Sequence, residues 1–335
     1  MHRETSWRSP FARTWTLYFS AVRRNTINQL SDAMMHNNAA TYSNPIRAVD
    51  GSGPFIVYTG GYYYLLTTSW TDVEISRATT LNGLKISTKK VVYSTTTASR
   101  CCNVWSPEVH YFSGTWYIYY TAGETTDLNG QQIHVLTGKS SPPNIPRTFL
   151  RTTAFGNYLV HSCFGSGSLQ SLCIEPLTTP TSIGTAHVIS TPASAWEEHG
   201  GSVNEAPAAL YYGGKTYLTF SARWGYGADV LFCRKLFLLA FCILEGPNMS
   251  NSHRTKIGPV LSSANGNYGP GSNGFFTSPD GTQIWNTFNA DANSAGACDS
   301  TRYTMAEVMT FSSAGVPQFA APQALGATLA GPSGE

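Results

Sequence analysis

The 335-residue sequence predicts an all-β protein, a five-bladed β-propeller in a single domain, and three observations carry that reading. Charged residues make up 12% of the chain and aromatics 13%, with 31 Gly and 18 Pro, the composition of short strands and tight turns rather than of helices. Aromatic-rich runs recur on either side of turn glycines, the signature of hairpins. Their spacing of roughly 40 to 70 residues is about what one four-stranded blade occupies, and no helical period competes with it.

Five hairpins follow in order. The first, Phe55–Leu65, turns at Gly60-Gly61, and the second, Val109–Tyr120, turns around Gly114. The third is degraded and turns at Gly156, ahead of Asn157–Ser162. The fourth, Ala208–Phe220, turns at Gly213-Gly214, and the fifth, Phe275–Trp285, at Asp280-Gly281. Alternating third strands come after some of them, at Val73–Arg77 and Ile133–Thr137, as expected where one face packs on a neighbouring blade. A β-sandwich builds similar hairpins but need not repeat them at an interval. In a propeller the innermost strand of each blade starts at a shared central channel, so residues just ahead of those strands converge. Here they are Gly53, Glu108, Glu205 and the stretch near Ser272.

Charge and hydropathy exclude other classes. A net charge of +2, with no basic stripe, argues against a nucleic-acid partner. The longest apolar run, Val230–Leu244, is too short to span a membrane and is broken by Arg234 and Lys235. Of seven cysteines, Cys101 and Cys102 are adjacent, Cys163 and Cys173 are close enough to bridge one hairpin, and the odd count leaves at least one thiol unpaired. No zinc-binding spacing occurs. Residues 1–41 carry Arg3, Arg8, Arg13, Arg23 and Arg24 with few acids and read as a poorly ordered extension ahead of a domain at 42–335. The only run resembling a leader's apolar core, Trp15–Val22, is interrupted by Thr16 and Ser20, so no convincing signal peptide is present; an Arg-rich, acid-poor start also fits a transit peptide.

Several motifs then appear together: Asn44-Pro45-Ile46, Gly53–Val57, Trp105–Tyr111 and Asn204–Ala208. In this order they resemble the blade-start motifs of glycoside hydrolase family 43, over about residues 42–335. Cys101–Trp105, Ser162–Gly167 and Asn265–Tyr268 look closest to the exo-acting α-L-arabinofuranosidases of arabinan degradation. The resemblance implies an inverting hydrolase with a general acid and a general base on opposite sides of the scissile bond. It gives Glu205 the role of acid. A Glu between Asn204 and Ala206-Pro207, in low-charge surroundings, is also placed to keep its proton by desolvation.

The sequence departs from the family at the base. The family's Asp-Pro is Gly53-Pro54 here, and glycine accepts no proton. Asp50 is a weak substitute, three residues away. The third carboxylate, which tunes the acid and belongs to an Ile-Asp motif opening the third blade, has no counterpart in Phe149–Phe155. Where the family places an axial His that helps hold calcium or water, this chain has Ser272. No required cofactor and no metal are expected. Catalysis is expected to be strongly impaired, the alternative being an inactive carbohydrate-binding propeller. Trp70, Trp105, Phe164 and Tyr268 are candidates for stacking on sugar, and Arg302 matches a position where the family supplies a cation near the terminal sugar. Glu108 reads as a structural or rim carboxylate. The expected ligands are arabinan and arabino-oligosaccharides, met by a monomer; the resemblance implies an extracellular location. The stretch from Val230 to Phe241 fits the family pattern only in its second half.

Overall fold

The structure, a computed structural model, describes residues 40–124, 130–138, 150–152, 156–164, 169–198, 201–224, 236–244 and 256–335, with backbone alone at 150–152, 223–224 and 236–244. After β1 (Thr41–Tyr42), five antiparallel meanders succeed one another. The first is β2 (Phe55–Thr59), β3 (Tyr62–Leu66), β4 (Asp72–Ala78) and β5 (Lys90–Ser94); the second is β6 (Cys102–Phe112), β7 (Thr115–Gly123) and β8 (Gln132–Thr137). The third runs through β9 (Leu150–Thr152), β10 (Gly156–Phe164), β11 (Gln170–Thr179), β12 (Ser182–Ile183) and β13 (His187–Ser190). The fourth is β14 (Asn204–Tyr212), β15 (Lys215–Trp224), β16 (Leu236–Leu244) and β17 (Lys256–Leu261), and the fifth is β18 (Tyr268–Thr277), β19 (Ile284–Asp291) and β20 (Tyr303–Val308). A ribbon of β21 (Thr310–Phe311) and β22 (Pro317–Gln318) follows, and β23 (Leu329–Ala330) returns to pair with β1. The extension expected over 1–41 lies outside the described residues except at 40–41, where Thr41 already pairs with Ala330.

The expected hairpins are present. Gly60 and Gly61 both have positive φ, 56° and 81°, the conformation that a two-residue hairpin turn requires and that glycine adopts without a Cβ penalty. The third hairpin pairs Gly156 with Thr152, although its turn lies outside the described residues. Of the unusual apolar stretch, Leu236–Leu244 forms β16, which pairs with β15 from Thr216↔Leu244 to Trp224↔Leu236, and the rest lies outside the described residues. Disulfides join Cys101 to Cys102 and Cys163 to Cys173, the latter across β10 and β11 with Cα atoms 5.8 Å apart.

Strand alternation delivers successive side chains to opposite neighbours. Ile56 packs with Trp285 and Phe276 of the fifth sheet, while Phe55 and Val57 pack with Val109 and Trp116 of the second. In the fourth sheet Leu218 and Phe220 join Leu172 and Ile174 of the third, whereas Tyr217 and Leu210 join Phe275 of the fifth. Phe112 and Tyr119 meet Leu159 and Leu177 between the second and third sheets. Each sheet thus shares an apolar cluster with the next, and the fifth shares one with the first. Each fully buried large side chain contributes about 1.5–3 kcal/mol.

Polar groups fasten the two ends. The buried Asn44 donates to the Ala306 carbonyl (3.1 Å) and to Glu307 (3.0 Å) and accepts from the Ala306 amide (3.0 Å). The Glu335 side chain accepts the Leu81 amide at 2.8 Å. Glu307 is 6% exposed, and burial pushes its carboxyl up to about 7 against the hydrogen bonds from Gln323 and Asn44. A carboxyl whose folded pKa lies above its unfolded value of about 4.5 stabilises the fold fully below that value and loses its contribution as pH rises through about 7. Glu307→Gln, which keeps an acceptor for Asn44, should therefore be more stable than the parent at pH 8, by on the order of 2–3 kcal/mol, with little difference at pH 4. Denaturant unfolding followed by tryptophan fluorescence at the two pH values measures this.

Candidate active site

The first, second, fourth and fifth sheets all contribute residues to a cavity of about 790 Å³. Gly53 and Pro54 border it from just ahead of β2, Glu108 from β6, Glu205 from β14 and Ser272 from β18, as the hairpin pattern predicts. Trp70, Trp105, Phe164 and Arg302 also line it; Asp50 and Tyr268 do not. A second cavity, about 400 Å³ between the first and second sheets, is walled by Val57, Trp116, Leu136 and similar side chains without a carboxylate.

The two tryptophans form an edge-to-face pair, with ring centroids 6.1 Å apart and planes at 85°. Reciprocal backbone bonds between Trp70 and Val104, at 3.2 and 3.0 Å, hold them at the seam of the first two sheets. The Trp105 indole nitrogen is buried with no partner among the described residues. Flat apolar faces next to a donor suit a sugar ring, which offers C–H faces and hydroxyls. Arg302 is 6% exposed, and its carbonyl accepts the Gly51 amide at 2.8 Å, which places it beside the Gly53 loop.

Glu205 sits at the second position of β14, its carboxylate accepting the Gln170 amide at 3.1 Å. Gly53 has φ 53° and donates its N–H to Asn289 at 3.2 Å. A Cβ at Gly53 would lie 2.3 Å from the Ser106 hydroxyl oxygen. The Ser106 side chain therefore fills the space that the stem of a carboxylate residue at 53 would need. Asp50 turns to Lys89 at 3.3 Å, and Lys89 also binds Glu74 at 3.0 Å. Asp50 therefore stands in an ion pair outside the lining of the cavity.

Two carboxylate–imidazole pairs on the cavity wall were not anticipated. Glu108 bonds His110 at 3.1 Å, and Glu175, 7% exposed on β11, bonds His161 at 2.9 Å. Glu108 and His110 share a strand face by their i, i+2 spacing, a legible signal. Glu175 had none, because its place on the wall follows from the pairing of β11 with β10, which sets Glu175 opposite Leu159 and brings it near His161. Burial pushes the His110 imidazole below its usual range, against the pull of Glu108.

The donor set does not match a calcium site held by imidazole. Ser272 offers a hydroxyl, its amide donates to Ser221 at 2.8 Å, and no group of three or more His, Cys, Asp or Glu side chains that could hold a metal occurs among the described residues.

Comparison with known proteins adds the following. The model of Glycosyl hydrolases family 43 matches residues 42–142 and 156–317. The unmatched interval contains Phe149–Phe155, which carries no Asp or Glu. An extracellular exo-α-(1→5)-L-arabinofuranosidase of Streptomyces avermitilis is 29% identical over 321 residues, which cover 87% of this chain and 65% of that protein. An α-L-arabinofuranosidase 43 of Humicola insolens is 29% identical over 312 residues, covering 85% and 64%. The chain thus spans slightly under two thirds of the length of these two relatives. Among solved structures, an α-L-arabinofuranosidase from Lactobacillus brevis superposes with a TM-score of 0.72 at 23% identity, covering 85% of this chain and 98% of that one.

The Ser106 contact has a measurable consequence. Gly53→Asp alone should lower stability by about 1–3 kcal/mol through overpacking, in addition to the strain of a side chain at a φ of 53°, and Ser106→Gly in the same chain should recover the overpacking part but not the backbone strain. Chemical denaturation of the two single variants and the double variant tests the coupling.

Proposed function

We propose a function from one premise: the chain belongs to glycosyl hydrolases family 43. It is a single-domain five-bladed β-propeller that binds arabinan or arabino-oligosaccharides and hydrolyses their terminal α-1,5-linked arabinofuranose with strongly impaired catalysis. The relatives' activities and the apolar clusters that link each sheet to the next, and the fifth to the first, support this reading. The observation that carries it is a single cavity bordered by Glu205, Arg302, the Trp70–Trp105 pair and Gly53.

In this reading the sugar stacks on the tryptophans, and Arg302 hydrogen-bonds hydroxyls of the terminal unit. Glu205 then donates its proton to the leaving oxygen as water attacks the anomeric carbon from the opposite face. Without base assistance from residue 53 the rate falls by about 10²–10⁴-fold. The absence of an acid across Phe149–Phe155 removes the usual tuning of Glu205. No step passes through a metal. The names of two Streptomyces relatives include the word extracellular, and arabinan is a polymer met outside cells, which supports action there. A second reading, a silent arabinan-binding propeller, is favoured by Ser106 occupying the side-chain space of residue 53.

Titration calorimetry with arabinotriose is expected to show binding that weakens when Trp105 is replaced by Ala. Turnover of linear arabinan is expected at least about 10²-fold below that of family members with an intact base. No heat with arabinotriose would remove both readings, and a rate equal to those relatives would remove the impairment.

A further inference from the structure

The reading above leaves any residual catalysis without a base, and the neighbours of Gly53 point to one. Two contacts align β2 with β6. Gly53 lies against Ser106, and the Phe55 ring meets the His110 ring edge-on with centroids 5.2 Å apart. Between Ser106 and His110 on β6 stands Glu108, and between Gly53 and Phe55 stands Pro54; both line the cavity. Glu108 is therefore a lining carboxylate on the stretch of β6 that passes the Gly53–Phe55 segment, where the family's base position lies. We propose that Glu108 is the general base of this chain, the carboxylate having moved from the first sheet to the second. This rests on the glycosidase reading.

The side chain is built for the task. One oxygen of Glu108 accepts from His110 at 3.1 Å, and the other has no partner among the described residues. His110 is buried to 1% side-chain exposure between Phe55, Phe112 and Tyr119, so the donor that aims the carboxylate is itself fixed. The Glu108 side chain keeps 37% of its exposure, leaving room for water. In a ring of five sheets one sheet, the fifth, separates position 53 from Glu205 on the fourth. One sheet, the third, likewise separates Glu108 from Glu205. The exchange thus keeps the base across the channel from the acid, as inversion requires.

The proposed step balances. The free Glu108 oxygen takes a proton from water as that water's oxygen bonds to the anomeric carbon. The glycosidic C–O bond breaks with its electron pair on the leaving oxygen, which takes the Glu205 proton. Glu108 afterwards releases its proton to solvent, and Glu205 regains one.

The test compares the full-length parent with Glu108→Gln, Glu108→Ala and Glu205→Gln, using an aryl α-L-arabinofuranoside for turnover and arabinotriose for binding. The parent is expected to turn over slowly, Glu108→Gln to lose about 10²–10⁴-fold of that rate with arabinotriose affinity kept, and sodium formate to raise the rate of Glu108→Ala but not of the parent. Glu108→Ser replaces Glu108→Ala where circular dichroism shows that the alanine variant does not fold. An unchanged rate in Glu108→Gln, or no formate response in the folded variant, overturns the assignment; if Glu205→Gln is inactive at the same time, the glycosidase reading stands. No turnover by the parent with arabinotriose bound overturns the assignment and leaves a binding protein, whereas no turnover and no binding overturns both.

Discussion

The side chain of Asn44 joins the first sheet to the last, and the geometry of the cavity depends on that joint. Its amide spends both its donor and its acceptor capacity on Ala306 and Glu307, more than 260 residues away in sequence. A buried amide satisfied on both sides avoids the desolvation penalty of about 1–3 kcal/mol that an orphaned group would incur. The closure it makes spans nearly the whole described chain, so its entropic cost is met once and shared by every contact it aligns. Those contacts include the Gly51 amide on the Arg302 carbonyl and the Gly53 amide on Asn289. The wall where a base carboxylate would stand is thus set by the joint between first and last sheets.

Within that frame, Gly53 is closely packed. A glycine in a packed region can leave a void, and voids there are destabilising. Here Ser106 occupies the space, itself at a positive φ of 44°. The backbone of β6 is also irregular nearby, with shifts of register between Cys102 and Trp105 and between Trp105 and Glu108. Together these put Ser106 against Gly53 and turn Glu108 to the cavity.

Much of the fold was legible because its signals are local. Gly60-Gly61 and Gly213-Gly214 dictate turns through backbone conformation alone, and alternation along Val73–Arg77 marks a strand whatever it packs on. The convergence of Gly53, Glu108, Glu205 and Ser272 was legible for the same reason, since each stands about six to eight residues ahead of a hairpin turn. What stayed hidden depends on contacts between sheets. Nothing in the sequence sets Ser106 against Gly53, pairs Asp50 with Lys89, or tells that the pairing of β10 with β11 brings Glu175 and His161 together at the cavity. The segment Asn204–Ala208 shows both cases: the position of Glu205 was readable, its partner Gln170 on β11 was not.

The central claim is that this cavity keeps a sugar site and an acid at Glu205 while the base position at Gly53 is vacant, with Glu108 beside it. A high-resolution crystal structure with arabinotriose bound tests it most directly. The account predicts a terminal arabinofuranose against Trp70 and Trp105, its glycosidic oxygen within hydrogen-bond distance of Glu205, and an ordered water between the anomeric carbon and Glu108. A sugar bound elsewhere on the protein, or a glycosidic oxygen out of reach of Glu205, would contradict it.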